Sequence, residues 1–208
     1  MIAIITLSSL RGASSLGLGR KSHLRFWSWN IETLCKAGMI ELVITCCENA
    51  AIDACFLQET CLHGVWDKML SRGWRLVGCG APEPAEATGT ACLMSPRFQA
   101  CLLGFVLRSG RHHTVVVRFI NGPLVIEGIH APQERASKIR KTKFWEGLDK
   151  AVSEGPDPWS RLILGDMNVR WHYVSSDERT HLGPFVGGRG REYFNGLTYK
   201  ENRSLAYN

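Results

Sequence analysis

The sequence lacks any apolar run of the roughly 18–20 residues that a membrane-spanning helix requires. Its nearest approach, residues 1–7, is far too short, so no membrane partner is expected. There is no Cys-x-x-Cys pair, and Cys46 and Cys47 are adjacent, a spacing that fits no common zinc motif. No cysteine follows Cys101, and a chain of 208 residues buries enough core to need no disulfide framework. The eight thiols are therefore expected to be reduced and mostly buried, which favours an intracellular setting. No acidic residue precedes Glu32. Residues 1–22 read as a leader outside the fold, with a composition compatible with organelle targeting, and the domain proper is expected over 23–208. No internal repeat is present. The stretch Gly17-Leu18-Gly19-Arg20-Lys21-Ser22 lacks the Gly-Lys-Ser/Thr order and follows no strand, so it is not a nucleotide-phosphate loop. No small-molecule cofactor is expected.

What the chain does have is ordinary globular composition, 45% hydrophobic and 21% charged, which excludes wholesale disorder. Twenty-five Lys and Arg against 19 Asp and Glu leave a charge of +6, a balance that suits a polyanionic partner. Alternating aromatic residues predict a strand over 24–29. Helical spacing of Met39, Ile40, Val43, Cys46 and Cys47 predicts a helix over 36–50. A buried strand is expected over 52–58, and a short helix over 66–72 that Gly73 ends. Strands follow over 74–78, 89–94, 100–107 and 114–119, with a hairpin signal at Asn121-Gly122 leading into 124–130. A helix is expected over 137–153, with Trp145, Leu148 and Val152 on one face, and a strand over 161–164. Helices at both ends and a meander between them predict an α/β fold of stacked sheets with helices outside.

The informative feature is where the apolar runs stop. LRFWSW ends at Asn30, ACFLQ at Glu59, LVIEGI at His130, and RLILG at Asp166-Met167-Asn168. Each strand delivers a metal-ligand or proton-transfer group at its C-terminal end. If those ends converge, one cleft holds two carboxylates, two carboxamides and an imidazole. Such a set suits magnesium, which prefers oxygen, takes one or two protein carboxylates and keeps several waters. Asn168 can hold an attacking water or a phosphate oxygen, and His130 can donate to the same group.

These residues resemble a known family. Trp29-Asn30, Leu57-Gln58-Glu59-Thr60, Ile129-His130-Ala131-Pro132-Gln133 and Leu164-Gly165-Asp166-Met167-Asn168 are similar to the ordered motifs of the endonuclease/exonuclease/phosphatase superfamily. The nearest groups are the endonuclease domains of LINE-type retrotransposons and the craniofacial-development-protein relatives. The resemblance implies a two-sheet α/β sandwich with flanking helices, DNase I-like, and magnesium-dependent phosphodiester hydrolysis on DNA, with manganese as a substitute. It implies Glu59 as main metal ligand helped by Asn30, Asp166 activating the nucleophile, and Asn168 orienting it. His130 stands where many members carry Tyr. A monomer is expected, in the nucleus.

Members of the family end in a strand with a Ser-Asp-His type motif. Nothing after Asn168 matches it, because His172 follows the GDxN element too closely and His181 has no preceding Asp. The expectation is therefore a domain whose last strand or strands are missing and whose activity is impaired. Two other readings stand beside the nuclease: an inactive retroelement remnant with weak nucleic-acid binding, and a phosphatase or sphingomyelinase-type member. Five basic residues fall in the nine of RASKIRKTK: Arg135, Lys138, Arg140, Lys141 and Lys143. These are candidate contacts to a nucleic-acid backbone. Arg189 and Arg191 in a glycine-rich loop, and Trp171 as a base-stacking side chain, complete the candidate DNA contacts.

Overall fold

The computed structural model describes residues 2–8, 23–80, 88–119, 122–154 and 160–168. They fall into two compact units. The first comprises Met1–Ala131 and Val152–Asp166, the second Pro132–Ala151 and Met167–Asn208.

The described residues of the first unit form ten strands: β1 (Ile2–Ser8), β2 (His23–Asn30), β3 (Ala54–Gln58), β4 (Val65–Met69), β5 (Arg75–Cys79), β6 (Thr90–Met94), β7 (Leu102–Ser109), β8 (His112–Phe119), β9 (Gly122–His130) and β10 (Ser160–Asp166). Helices α1 (Met39–Asn49) and α2 (Pro96–Gln99) interrupt them. One sheet has the order β1-β2-β3-β6-β5-β4, the other β10-β9-β8-β7. Only β2 with β3 and β9 with β10 pair in parallel; the other neighbours are antiparallel.

The period of two along each strand explains the layering. Leu24, Phe26, Ala54, Phe56, Cys92 and Met94 of the six-stranded sheet meet Val115, Val117, Leu124, Ile126 and Leu164 of the other in one core. Their alternate neighbours Trp27, Cys55, Leu57, Ala91 and Leu93 face away and pack with Val43, Ile44 and Cys47 of α1. Each fully buried Phe or Leu of this kind contributes about 2 kcal/mol. The α/β sandwich is thus built from the apolar alternation itself. Helix α3 (Lys138–Ser153), of which the residues up to Ala151 belong to the second unit, buries Lys141, Trp145, Leu148 and Ala151, one helical stripe.

Three expectations need correction. Residues 2–8, expected outside the fold, form β1, an edge strand paired with β2 from Ile2↔Trp29 to Ser8↔His23; a short apolar run beside an aromatic strand extends the ladder. The expected helix over 66–72 is strand β4, closed onto β5 by a tight turn in which Leu70 N donates to Trp74 O at 2.7 Å. Apolar residues at 66, 69 and 70 have helical spacing, but pairing with β5 and the Asp67–Arg75 ion pair at 2.8 Å hold the segment as a strand. Residues 96–99 start as a helical turn capped by Ser95, which delays β7 to Leu102.

One imidazole lies wholly inside the sandwich. The His113 ring is stacked on Phe56 (5.7 Å) and on Phe105 (5.3 Å), and its Nδ1 is 3.0 Å from Thr90 Oγ1. Burial, with His112 adding, pushes its pKa down to about 3. Nearby, the buried Glu127 carboxylate accepts from His112 Nε2 at 2.9 Å and from Thr114 Oγ1 at 2.7 Å. Burial raises the Glu127 pKa, but those bonds and the charges of His112 and Arg108 outweigh it, so the net shift is downward. The two residues act in the same direction. An unfolded His binds a proton near pH 6.5 that folded His113 refuses until about 3, so stability falls as pH drops through that window. The stability from Glu127 is present above its unfolded value and lost as pH falls through its lower folded value. Unfolding free energy is therefore expected to decline steadily from pH 6.5 downward, by at most about 1.4 kcal/mol per pH unit from His113, and the melting temperature with it. His113→Leu, which cannot titrate, should flatten the upper part of that decline; an unchanged slope would show that His113 is not its source.

Candidate active site

Two parallel strand pairs explain why the polar strand ends meet. β2 and β3 run the same way with Asn30 opposite Gln58, so Asn30 and Glu59 leave the six-stranded sheet at one end. β9 and β10 do the same in the other sheet, with His130 opposite Asp166. Both ladders continue one step further, through Ile31 N→Gln58 O at 3.0 Å and Ala131 N→Asp166 O at 2.8 Å.

The two ends join across the sheets. Asn30 Nδ2 donates to Asp166 Oδ2 at 3.3 Å, and Glu59 Oε1 lies 3.6 Å from His130 Nε2. The Asn30 carbonyl oxygen accepts from Glu32 N at 3.3 Å, which fixes the carboxamide orientation. Below this layer, Ser28 Oγ donates to Gln58 Oε1 at 3.4 Å, and Gln58 Nε2 donates to Phe56 O at 2.8 Å.

Local backbone conformation positions each group. Glu59 ends β3 in the left-handed region (φ 55), and the chain turns there. Thr60 N then donates to Gly89 O at 3.2 Å. A Cβ at residue 89 would stand 2.3 Å from Thr60 Oγ1, so glycine is what lets the two loops close. Gly165, just before Asp166, has φ 155, and a Cβ there would reach 1.9 Å from Ile129 O. Glycine therefore lets β10 lie close enough to β9 to place Asp166 beside His130.

Arg111 completes the cluster. It sits in the turn between β7 and β8, with Nη1 3.4 Å from His130 Nδ1 and 3.4 Å from His130 O. Arginine only donates, so Nδ1 must accept, and the ring proton of neutral His130 resides on Nε2. Burial, and then the Arg111 charge, push the His130 pKa below its ordinary value, while Asp166 and Glu59 pull it up. Nε2 is buried without a hydrogen-bond partner. It is a donor held in readiness beside the Glu59 carboxylate.

Of the five residues singled out at strand ends, Asn30, Glu59, His130 and Asp166 lie together in the first unit. Asn168 belongs to the second unit, with a left-handed backbone (φ 49). Among the basic candidates in the second unit, Arg135, Lys138, Arg140 and Lys143 are exposed. Lys141 differs: it is 2% exposed, and its Nζ bonds Glu134 O at 3.2 Å and Glu134 Oε1 at 3.4 Å. An inward, internally paired ammonium is not presented to a polyanion. Trp171, Arg189 and Arg191 lie outside the described residues. Arg111 escaped sequence reasoning because a turn arginine carries no signal until the β8–β9 register, His112↔Ile129, is known.

All eight cysteines are free; Cys47, Cys55, Cys79, Cys92 and Cys101 are buried. No helix among the described residues is long and apolar enough to cross a membrane.

Comparison with known proteins follows the same lines. The model of the endonuclease/exonuclease/phosphatase family matches residues 21–202. The AP endonuclease LMAP from Leishmania major superposes with a TM-score of 0.52 at 16% identity, over 70% of this chain and 55% of that one. A D. rerio TDP2 humanized by 14 mutations gives 0.50 at 15% identity, over 71% of this chain and 63% of that one. The endonuclease domain of TRAS1, a telomere-specific non-LTR retrotransposon, gives 0.46 at 14% identity, over 71% and 60%. The chain thus spans less than two thirds of the length of these structures, and the likeness is one of fold. No curated protein sequence matches it.

Proposed function

Since the chain belongs to the endonuclease/exonuclease/phosphatase family, we propose that it is a divalent-metal-dependent phosphodiesterase that cuts DNA, of retroelement endonuclease type, acting in the nucleus. The observation that carries this reading is the double junction of the sheets: Asn30 on Asp166 at 3.3 Å and Glu59 beside His130 at 3.6 Å. Members of the family generally depend on a divalent metal.

The residues fit such an ion. Glu59, Asp166 and Asn30 offer oxygen donors, the choice of a hard cation. Among the described residues no three His, Cys, Asp or Glu side chains are grouped to hold a metal ion, so the donors are two carboxylates and a carboxamide. Magnesium takes one or two carboxylates and keeps its waters, so Glu59 with Asn30 is a sufficient anchor. Bound there, the ion would offset charge on a phosphate oxygen and acidify a water.

The chain's own groups do the rest. Asp166, held by the Asn30 amide, accepts a proton from the attacking water. His130 donates from Nε2 to a nonbridging phosphate oxygen, and the Arg111 guanidinium behind it adds positive charge to the same pocket. DNA is favoured as the phosphodiester by the net charge of +6 and by the exposed Arg135, Lys138, Arg140 and Lys143.

Supercoiled plasmid incubated with the chain and magnesium is expected to be nicked, and EDTA is expected to stop it. Glu59→Gln keeps the side-chain shape but loses the anionic ligand, and should slow nicking by roughly a hundredfold or more, partly recovered at high magnesium. Equal rates for wild type and variant, or nicking that survives EDTA, would overturn the reading.

A further inference from the structure

Cys35 and Cys61 lie on the two loops that leave β2 and β3. Backbone bonds hold those loops side by side: Ile31 N→Gln58 O at 3.0 Å and Leu34 N→Thr60 O at 2.8 Å. The Cys35 thiol donates to the carbonyl oxygen of Cys61 at 3.1 Å, and the Cys61 thiol donates to Glu32 O at 3.4 Å. Each sulfur therefore rests on the other's loop. Cys35 N also donates to Thr33 Oγ1 at 3.1 Å, which steadies the first loop.

Access separates the pair from the five buried thiols, and packing separates it from Cys46, which is as half-buried as Cys61 but lies against the core beneath α1. Cys35 is exposed and Cys61 half-buried, whereas Cys47, Cys55 and Cys92 are sealed in the core at 0% exposure. Neither Cys35 nor Cys61 packs in a hydrophobic cluster, and the hydrolytic chemistry uses neither. With the Cys35 sulfur 3.1 Å from the Cys61 carbonyl and the preceding residues joined by Leu34 N→Thr60 O at 2.8 Å, the two cysteines stand on backbone segments in direct contact, the closeness a disulfide needs.

We propose that Cys35 and Cys61 are an oxidisable dithiol that closes to a disulfide under hydrogen peroxide. The Cys35 sulfur attacks one peroxide oxygen, the O–O bond breaks, and sulfenic acid and a first water result. The Cys61 sulfur attacks the sulfenic sulfur, forming the S–S bond and releasing a second water. The two thiols lose two electrons and two protons, and one peroxide becomes two waters. The bond joins positions separated by 26 in sequence and staples the segment that carries Glu59 to the segment after Asn30. The inference stands apart from the nuclease reading, since it uses only thiol placement and access.

The test oxidises the full chain with a slight excess of hydrogen peroxide, alkylates the remaining thiols after denaturation, and maps linked peptides by mass spectrometry. One linkage, Cys35 to Cys61, is expected. It should be reversed by dithiothreitol and absent from Cys35→Ser and Cys61→Ser, whose near-ultraviolet circular dichroism reports that they fold. The oxidised wild type should melt on the order of 5 °C higher than the reduced protein, with no rise in either variant. Thiols that both remain alkylatable, an adduct on Cys35 without a link, or linkage among the other cysteines would overturn the proposal. A link without the rise in melting would overturn the stapling.

Discussion

Asp166→Asn is expected to slow DNA nicking by about a thousandfold or more while leaving the melting temperature unchanged. The substitution isolates one property. An asparagine at 166 still accepts from Asn30 Nδ2, so the junction now seen at 3.3 Å persists. Its backbone still follows Gly165 against β9, and Ala131 N still finds the residue's carbonyl. What disappears is the negative charge and the capacity to take a proton. A thousandfold corresponds to about 4 kcal/mol of transition-state stabilisation, within what loss of one member of a cooperating set removes. Asn30→Ala is the companion experiment. It leaves the carboxylate but removes its orienting amide, so a smaller loss, about tenfold to a hundredfold, is expected. Single-turnover nicking of supercoiled plasmid measures both. An Asp166→Asn protein that folds and nicks at the wild-type rate would remove Asp166 from the chemistry.

Gly128→Ala is expected to cost about 3 kcal/mol of stability, a large fraction of the about 5–15 kcal/mol that holds a domain folded. The added methyl would sit 2.2 Å from His113 Nε2 and 2.4 Å from Cε1. That ring cannot retreat, because Phe56 and Phe105 stack on it at interplanar angles of 4° and 10°. Nor can the strand, since β9 is paired on both sides. The clash must therefore push the sheets apart or tilt three rings together. The double variant Gly128→Ala/His113→Ala should be less destabilised than the sum of the two single changes, because the methyl then occupies space the imidazole has left. Denaturant melts of the four proteins measure the coupling. Additive losses would show that the methyl is accommodated without touching the ring.

Much of the fold and part of the site are legible in the sequence, and the boundary has physical causes. Strand ends at Asn30, Glu59, His130 and Asp166 stand out because an apolar run breaks off at a polar group, a local pattern. That they meet depends on two parallel pairings, β2 with β3 and β9 with β10, which no local pattern encodes. Arg111 is invisible for the same reason: its contact with His130 exists only through the β8–β9 register. Residues 66–72 misled because Trp66, Met69 and Leu70 satisfy a helical spacing, while the partner strand and the Asp67–Arg75 pair decide for β4. Lys141 looked like one of five equivalent cations. Only the helix stripe shared with Trp145 and Leu148 separates it from Arg140 and Lys143. His113 gave no signal, because a histidine among valines is indistinguishable in sequence from one exposed on a polar face.

The way the candidate site is divided has a further consequence. Asn30 and Glu59 hang from one layer, His130 and Asp166 from the other, and no single layer owns a complete pair. On the proposed reading, chemical competence is then a property of tertiary registration: a collapsed state that keeps both ladders but lets them slide by an ångström or two would have every strand and no catalyst. Such a protein announces its loss of native order through silence in an assay before any spectroscopic probe of secondary structure moves.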